Sequence, residues 1–287
     1  MRLTPKQTRR PPGDATPGEI WTSEELLRLR AGGYRADAWV GFLRAARERA
    51  ADTGAGRPEL RAQLDVGVVA WLALAAASRR APVARLVPAV APASELAWAG
   101  SVWLMLRWHL GMVEGPAGEH RRRLSAADAA SVARVWLAPR LLRVGAQRRA
   151  FLALIALAAA TDVLDGALAR RSGPTRLGRD LDRIADACVW SAAGLAARRE
   201  GWLGRQAVAA LCARYGTGLA FALARYFVAG EQPAGGTSPA ARALGSASVV
   251  ALAATAVDRS GRASQALAGL SLAALGASTA SELAARG

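Results

Sequence analysis

Lysine is all but missing from this chain: Lys6 is the only one among 38 basic residues, so arginine carries the positive charge. Histidine and cysteine are nearly as scarce, with two residues of each. His109 and His120 are isolated and match neither an HExxH pair nor a triad spacing, so no chemistry is assigned to them. Cys188 and Cys212 stand singly in apolar stretches with no CxxC, excluding a disulfide framework and a cysteine zinc site. Each reads as a small buried hydrophobe. Glycine-rich phosphate loops of the GxxxxGK[ST] and GxGxxG kinds are absent as well. No stretch alternates apolar and polar residues as a strand would, so neither a soluble sheet nor a membrane barrel is expected.

Acidic residues are also in deficit, 22 against 38 basic ones, for a formal charge of +16. In a soluble protein that balance would point to nucleic acid. Here 52% of the residues are hydrophobic, and the arginines alternate with alanine-rich apolar runs instead of sharing one face. The basic stretches lack the interleaved aromatics on which bases stack, so nucleic acid is not an expected partner. Arginine between apolar runs suits short loops joining membrane helices. The first 62 residues are polar and basic, so no cleavable signal peptide is expected.

Three regions are predicted. Residues 1–62 form a polar, basic, cytosolic region in which Thr22-Ser23-Glu24-Glu25 would cap a short helix through Leu29. Residues 36–50 would form an amphipathic helix with Trp39, Phe42 and Leu43 on one face, either on an anionic membrane surface or solvated. Residues 63–113 hold two apolar segments, 64–78 and 96–113, interrupted by Arg107 and His109 and followed in the first case by Arg79-Arg80. They predict extra membrane helices or a hairpin short of the roughly 20 residues a full span needs. Residues 114–287 hold six segments, near 127–143, 150–169, 181–197, 203–228, 239–257 and 263–285. The expected fold is therefore an all-α, polytopic membrane bundle with a six-helix core behind an N-terminal extension. Loop arginines nearly balance across the two faces, so charge alone does not orient the core.

One stretch stands apart: TDVLDGALARRSGPTRLGRDLDRIAD, residues 161 to 186. Asp162 and Asp165 share one helix face, Asp182 and Asp186 another, and Gly173-Pro174 turns the chain back between them. Two antiparallel helices would thus bring four carboxylates face to face. Unpaired at a membrane boundary, such a cluster costs several kcal/mol, and hard oxygen ligands of this kind suit Mg²⁺ or Mn²⁺. Gly166, Ala169 and Gly178 leave room beside the acids, while Arg170 can meet a phosphate bidentately. Asp180, two residues before Asp182, lies on a different face and reads as a solvated acid. Within the apolar run 203–228, Arg214 and Arg225 are costly residues, and Arg214 is a candidate ligand for a phosphate on the acceptor.

At these residues the sequence resembles the CDP-alcohol phosphotransferase family, whose signature is DxxDGxxAR, seven or eight residues, then GxxxDxxxD. Here it reads Asp162, Asp165-Gly166, Ala169-Arg170, seven residues, then Gly178, Asp182 and Asp186. Upstream, Ser131-Val132-Ala133-Arg134 and Pro139 are similar to the first core helix of the phosphatidylglycerophosphate synthase branch. The resemblance implies a six-helix, usually homodimeric membrane enzyme with its motif facing the cytosol and two divalent cations. It implies that Asp162, Asp165 and Asp182 are metal ligands. Asp186 would join them and act as general base on the acceptor hydroxyl. Gly166, Ala169, Arg170 and Gly178 would shape the CDP pocket, and Arg134 would join Arg214 at the acceptor phosphate. The implied partners are a CDP-linked lipid, with CDP-diacylglycerol the favoured donor, and a small alcohol or polyol phosphate. The high arginine and alanine content points to a bacterial plasma membrane. Two other classes fit the acids: a transporter or ion pathway lined by aspartates, and a catalytically idle relative that binds CDP-lipid. The first leaves the fixed offsets of Gly166, Ala169, Arg170 and Gly178 without a purpose.

Overall fold

Runs of alanine and leucine, broken at intervals by Pro, Gly and Arg, fix both the helices and their ends. The computed structural model describes residues 16–79, 88–115, 117–229 and 239–284. Among these residues are ten α-helices and no strand. An N-terminal pair, α1 (Pro17–Ala31) and α2 (Ala36–Gly56), precedes the hairpin of α3 (Pro58–Ser78) and α4 (Pro92–Trp108). The core follows as α5 (Ala126–Leu141), α6 (Arg148–Ser172), α7 (Arg176–Arg199), α8 (Arg205–Ala224), α9 (Pro239–Thr255) and α10 (Arg262–Ala284). A π-helical turn, Arg225–Ala229, extends α8. By length and composition α3, α6 and α8 carried on to Val228 can each cross a bilayer.

The six core helices fall where the apolar segments predict them. Two N-terminal boundaries differ. α3 begins at Pro58, six residues before the apolar run, because proline presets the first turn and Glu59 complements the helix dipole. It thereby reaches 21 residues, long enough for a span that the apolar run alone denied it. α1 is capped at Thr16, not Thr22. Thr16 Oγ1 accepts from the Glu19 amide at 3.2 Å while Glu19 Oε2 accepts from the Thr16 amide at 2.9 Å, a reciprocal box with Pro17 as first residue. Thr22 is instead buried within the helix.

Two apolar clusters hold the bundle. One, built on Leu141, Phe151, Leu154, Val189, Trp190, Leu211, Leu252 and Leu267, joins the core helices to one another. The second runs through Leu60, Leu64, Trp71, Val102, Leu106 and Leu110 to Val135, Leu181 and Ala185, so the hairpin packs on α5 and α7. Large side chains left uncovered, among them Val66, Val69, Leu74, Val163, Leu164 and Val250, face outward from the helices, as lipid contact requires.

A buried ion pair pins the hairpin. Arg140 Nη2 donates to both Glu95 oxygens, at 3.1 and 3.0 Å, and Trp71 Nε1 donates to Glu95 Oε1 at 2.5 Å. The guanidinium lies 3.3 Å over the Trp136 ring.

The helices α1 and α2 dock on the end of the core where α6 turns into α7. Fully buried Glu114 accepts from Thr16 Oγ1 at 2.7 Å and pairs with Arg176 Nη1 at 3.4 Å, while Arg176 Nη2 donates to Thr22 Oγ1 at 3.1 Å. On the far side Tyr34 donates its hydroxyl to the Phe227 carbonyl at 2.7 Å, and Trp39 and Phe42 stack around the Phe227 ring. Burial lowers the pKa of Arg49 and of Arg57, and the charge of Glu114 opposes it in both.

Candidate active site

The site begins with a turn. α6 ends at Gly173, whose φ of +75° is open to glycine and strained for other residues. Two residues on, Thr175 caps α7: its hydroxyl accepts from the Gly178 amide at 2.8 Å and donates to Asp128 Oδ1 at 2.6 Å. Asp128 is buried and belongs to the Ser125–Asp128 capping box that starts α5. A Cβ on Gly178 would stand 2.5 Å from Asp128 Oδ1. The space that glycine leaves is therefore filled by α5's carboxylate, which locks the first turn of α7 to the first turn of α5.

Two to three turns further in, the four motif acids meet around one cation. Arg134 of α5, fully buried, directs Nη1 to Asp162 Oδ1 at 2.9 Å and to Asp186 Oδ1 at 2.5 Å. Its Nη2 hydrogen-bonds Asp165 Oδ2 and lies 3.0 Å from Asp182 Oδ1. Asp165, the most buried of the four, also accepts from Ser131 Oγ at 3.0 Å. Asp162 and Asp182 are each nearly half exposed and Asp186 about a third, so the cluster is open on one side. Arg134, expected at an acceptor phosphate, thus has its guanidinium committed to the acids.

Asp162, Asp182 and Asp186 each place an oxygen within 4.8 Å of the others. Asp182 Oδ1 is buried and makes no hydrogen bond among the described residues, its approach to Arg134 being an ion pair without the angle for one. A hard, all-carboxylate set with a buried oxygen still lacking a donor fits a divalent cation such as Mg²⁺ or Mn²⁺.

The remaining predicted residues lie along the same two helices and on α8. Arg170, exposed in the last turn of α6, folds back so that Nη1 would be 3.3 Å from a Cβ on Gly166. Ala169 is half-buried beside it. Arg214 packs 4.8 Å over the Tyr215 ring and against Gly245 of α9, and its buried Nη1 has no hydrogen-bond partner among the described residues. Asp180 is outside the cluster and pairs with Arg183 at 3.6 Å.

Sequence reasoning passed over Asp128, Glu95 and Tyr215. Asp128 carried a signal in the Ser-x-x-acid spacing of a capping box, and Glu95 in being an acid within an apolar segment. Tyr215, close enough to Asp186 and Asp162 to feel their charge, carried none.

An all-helical membrane bundle with clustered aspartates on two antiparallel helices defines a class of lipid-embedded, acid-lined proteins. The family model for CDP-alcohol phosphatidyltransferase matches residues 124–277, more than half of the chain, and the protein belongs to that family. It is accordingly a transferase of phosphatidyl groups from CDP-alcohols in phospholipid synthesis, in a family generally dependent on metal. No curated protein and no solved structure matches the chain. Helices α1 to α4 lie outside the matched region.

Proposed function

We propose that the chain moves the phosphatidyl group of CDP-diacylglycerol to a polyol or polyol phosphate and releases CMP, with divalent metal required. The observation that carries this reading is the convergence of all four motif acids on one point. A structural role would need far fewer charges in so small a volume.

In this reading Asp162, Asp165 and Asp182 would hold two Mg²⁺ or Mn²⁺ ions and Asp186 would contribute to the same site. Such ions, when bound, neutralise the pyrophosphate and the departing CMP. Asp186 takes the proton of the acceptor hydroxyl. The acceptor oxygen bonds to the phosphorus nearer the lipid, the bond from that phosphorus to the CMP oxygen breaks, and its electron pair leaves with CMP. Gly166, Ala169 and Arg170 border the CDP side, Arg170 as the phosphate-facing cation, while Gly178 supports the site through its packing on Asp128. Arg214, whose buried Nη1 has no partner among the described residues, is the residue for an acceptor phosphate. The acceptor alcohol enters beside α8, where Tyr215 is near enough to Asp186 and Asp162 to feel their charge.

The protein works as a homodimer in a bacterial plasma membrane, its motif facing the cytoplasm. The orientation draws support from α2: Arg44, Arg47 and Arg49 lie within fifteen residues of the α3 span, on a helix docked at the motif end. Residues 1–62 are then a cytosolic region, 63–113 an added membrane hairpin and 114–287 the catalytic domain.

The test is CMP release by purified protein given CDP-diacylglycerol, Mg²⁺ or Mn²⁺ and a panel of alcohols and polyol phosphates. Release is expected to stop in EDTA and to fall by about 10²-fold or more in Asp186→Asn. Metal-independent release, or an unimpaired Asp186→Asn, would sink the assignment.

A further inference from the structure

Four carboxylates of two helices share a single guanidinium, and among the described residues that guanidinium has no other hydrogen-bond acceptor: Arg134 Nε is buried without a partner there. Arginine stays charged at any pH a protein survives, so its charge is a permanent part of the cluster. We infer that Arg134 is the built-in counter-cation of the acid cluster, holding the four carboxylates in register without a divalent ion and weakening their grip on one that binds. The inference rests on the metal-dependent reading above.

The charge count supports both halves. Four aspartates alone carry −4, a load that so close a cluster, open on one side only, cannot hold unpaired, and Arg134 brings it to −3. Two divalent ions would then leave the site at +1 instead of neutral, which favours the anionic pyrophosphate of the donor. Two like charges within a few ångströms repel, so the same guanidinium lowers the affinity for each ion and keeps it exchangeable. Ser131 keeps Asp165 aligned from the same helix face, one turn before Arg134.

The experiment titrates Mn²⁺ into full-length protein in detergent, followed by electron paramagnetic resonance, and records thermal unfolding in EDTA and in Mn²⁺. Wild type, Arg134→Gln and Arg134→Lys are compared. Arg134→Gln is expected to melt lower in EDTA, to recover with Mn²⁺ by more than the wild type gains, and to bind Mn²⁺ about tenfold or more tightly. Arg134→Lys keeps the charge but reaches fewer of the acids, so its affinity should rise only severalfold. Equal or weaker Mn²⁺ binding by folded Arg134→Gln overturns the inference. If that variant folds in neither condition, Arg134→Lys decides: tighter binding upholds the inference and unchanged binding overturns it. Absence of Mn²⁺ binding by the wild type overturns the metal reading and this inference together.

Discussion

Burying an arginine in a membrane bundle is expensive, and α5 does it twice, with Arg134 and Arg140 both almost wholly out of contact with solvent. Arg134 is compensated by the motif acids, Arg140 by Glu95 and by the carbonyl and ring of Trp136. The second is an ordinary buried pair, and its energetics are those of broken partnership. Glu95→Gln leaves a guanidinium buried without its counter-charge and is expected to lower stability by about 3–5 kcal/mol. Replacing both, Glu95→Leu with Arg140→Leu, should recover most of that loss in thermal unfolding of the detergent-solubilised protein. If the double variant is as unstable as the single, the pair is not what fastens α4 to α5. Arg134 has no such apolar replacement, since its partners are themselves charged and belong to the site.

At the scale of elements, the contact between the starts of α5 and α7 sets the direction in which Asp182 and Asp186 point. Asp128, Thr175 and Gly178 make it. In sequence Gly178 reads as space for a ligand; in the structure that space belongs to Asp128. The two readings separate in a double-mutant cycle. Gly178→Ala should destabilise the protein and reduce CMP release, because its Cβ cannot coexist with Asp128 Oδ1. In an Asp128→Ala background the added Gly178→Ala change should cost little further stability. Full additivity would return Gly178 to the ligand pocket. The same scale explains α1. A residue-by-residue search finds a cap at Thr22, but the Thr16–Glu19 box with Pro17 satisfies more of the free amides, and Glu114 reaches Thr16 as well.

For the molecule as a whole, alternation of helix direction puts the N-terminal helices, the α6–α7 turn and the end of α8 on one side, with the α5–α6, α7–α8 and α9–α10 turns on the other. Single cysteines at Ser23 and Arg171, in a chain with Cys188 and Cys212 replaced, should react with an impermeant maleimide from the same face of sealed vesicles. A cysteine at Arg259 should react only from the opposite face. Labelling of Ser23 and Arg171 from different sides would dismantle the arrangement of α1 on the core.

The chain's own letters settle the helical class, the position of the six core segments and the identity of the four acids. Hydrophobic length and the fixed i, i+3 and i, i+4 offsets are local properties, readable without a fold. Tertiary structure decided what those offsets cannot encode: that Arg134 stands at the centre of the acids, that Asp128 fills the gap at Gly178, and that Glu95 answers Arg140 across 45 residues of chain. Each is a charge or a volume compensated by a residue distant in sequence, and only the packing of one helix on another brings such partners within reach.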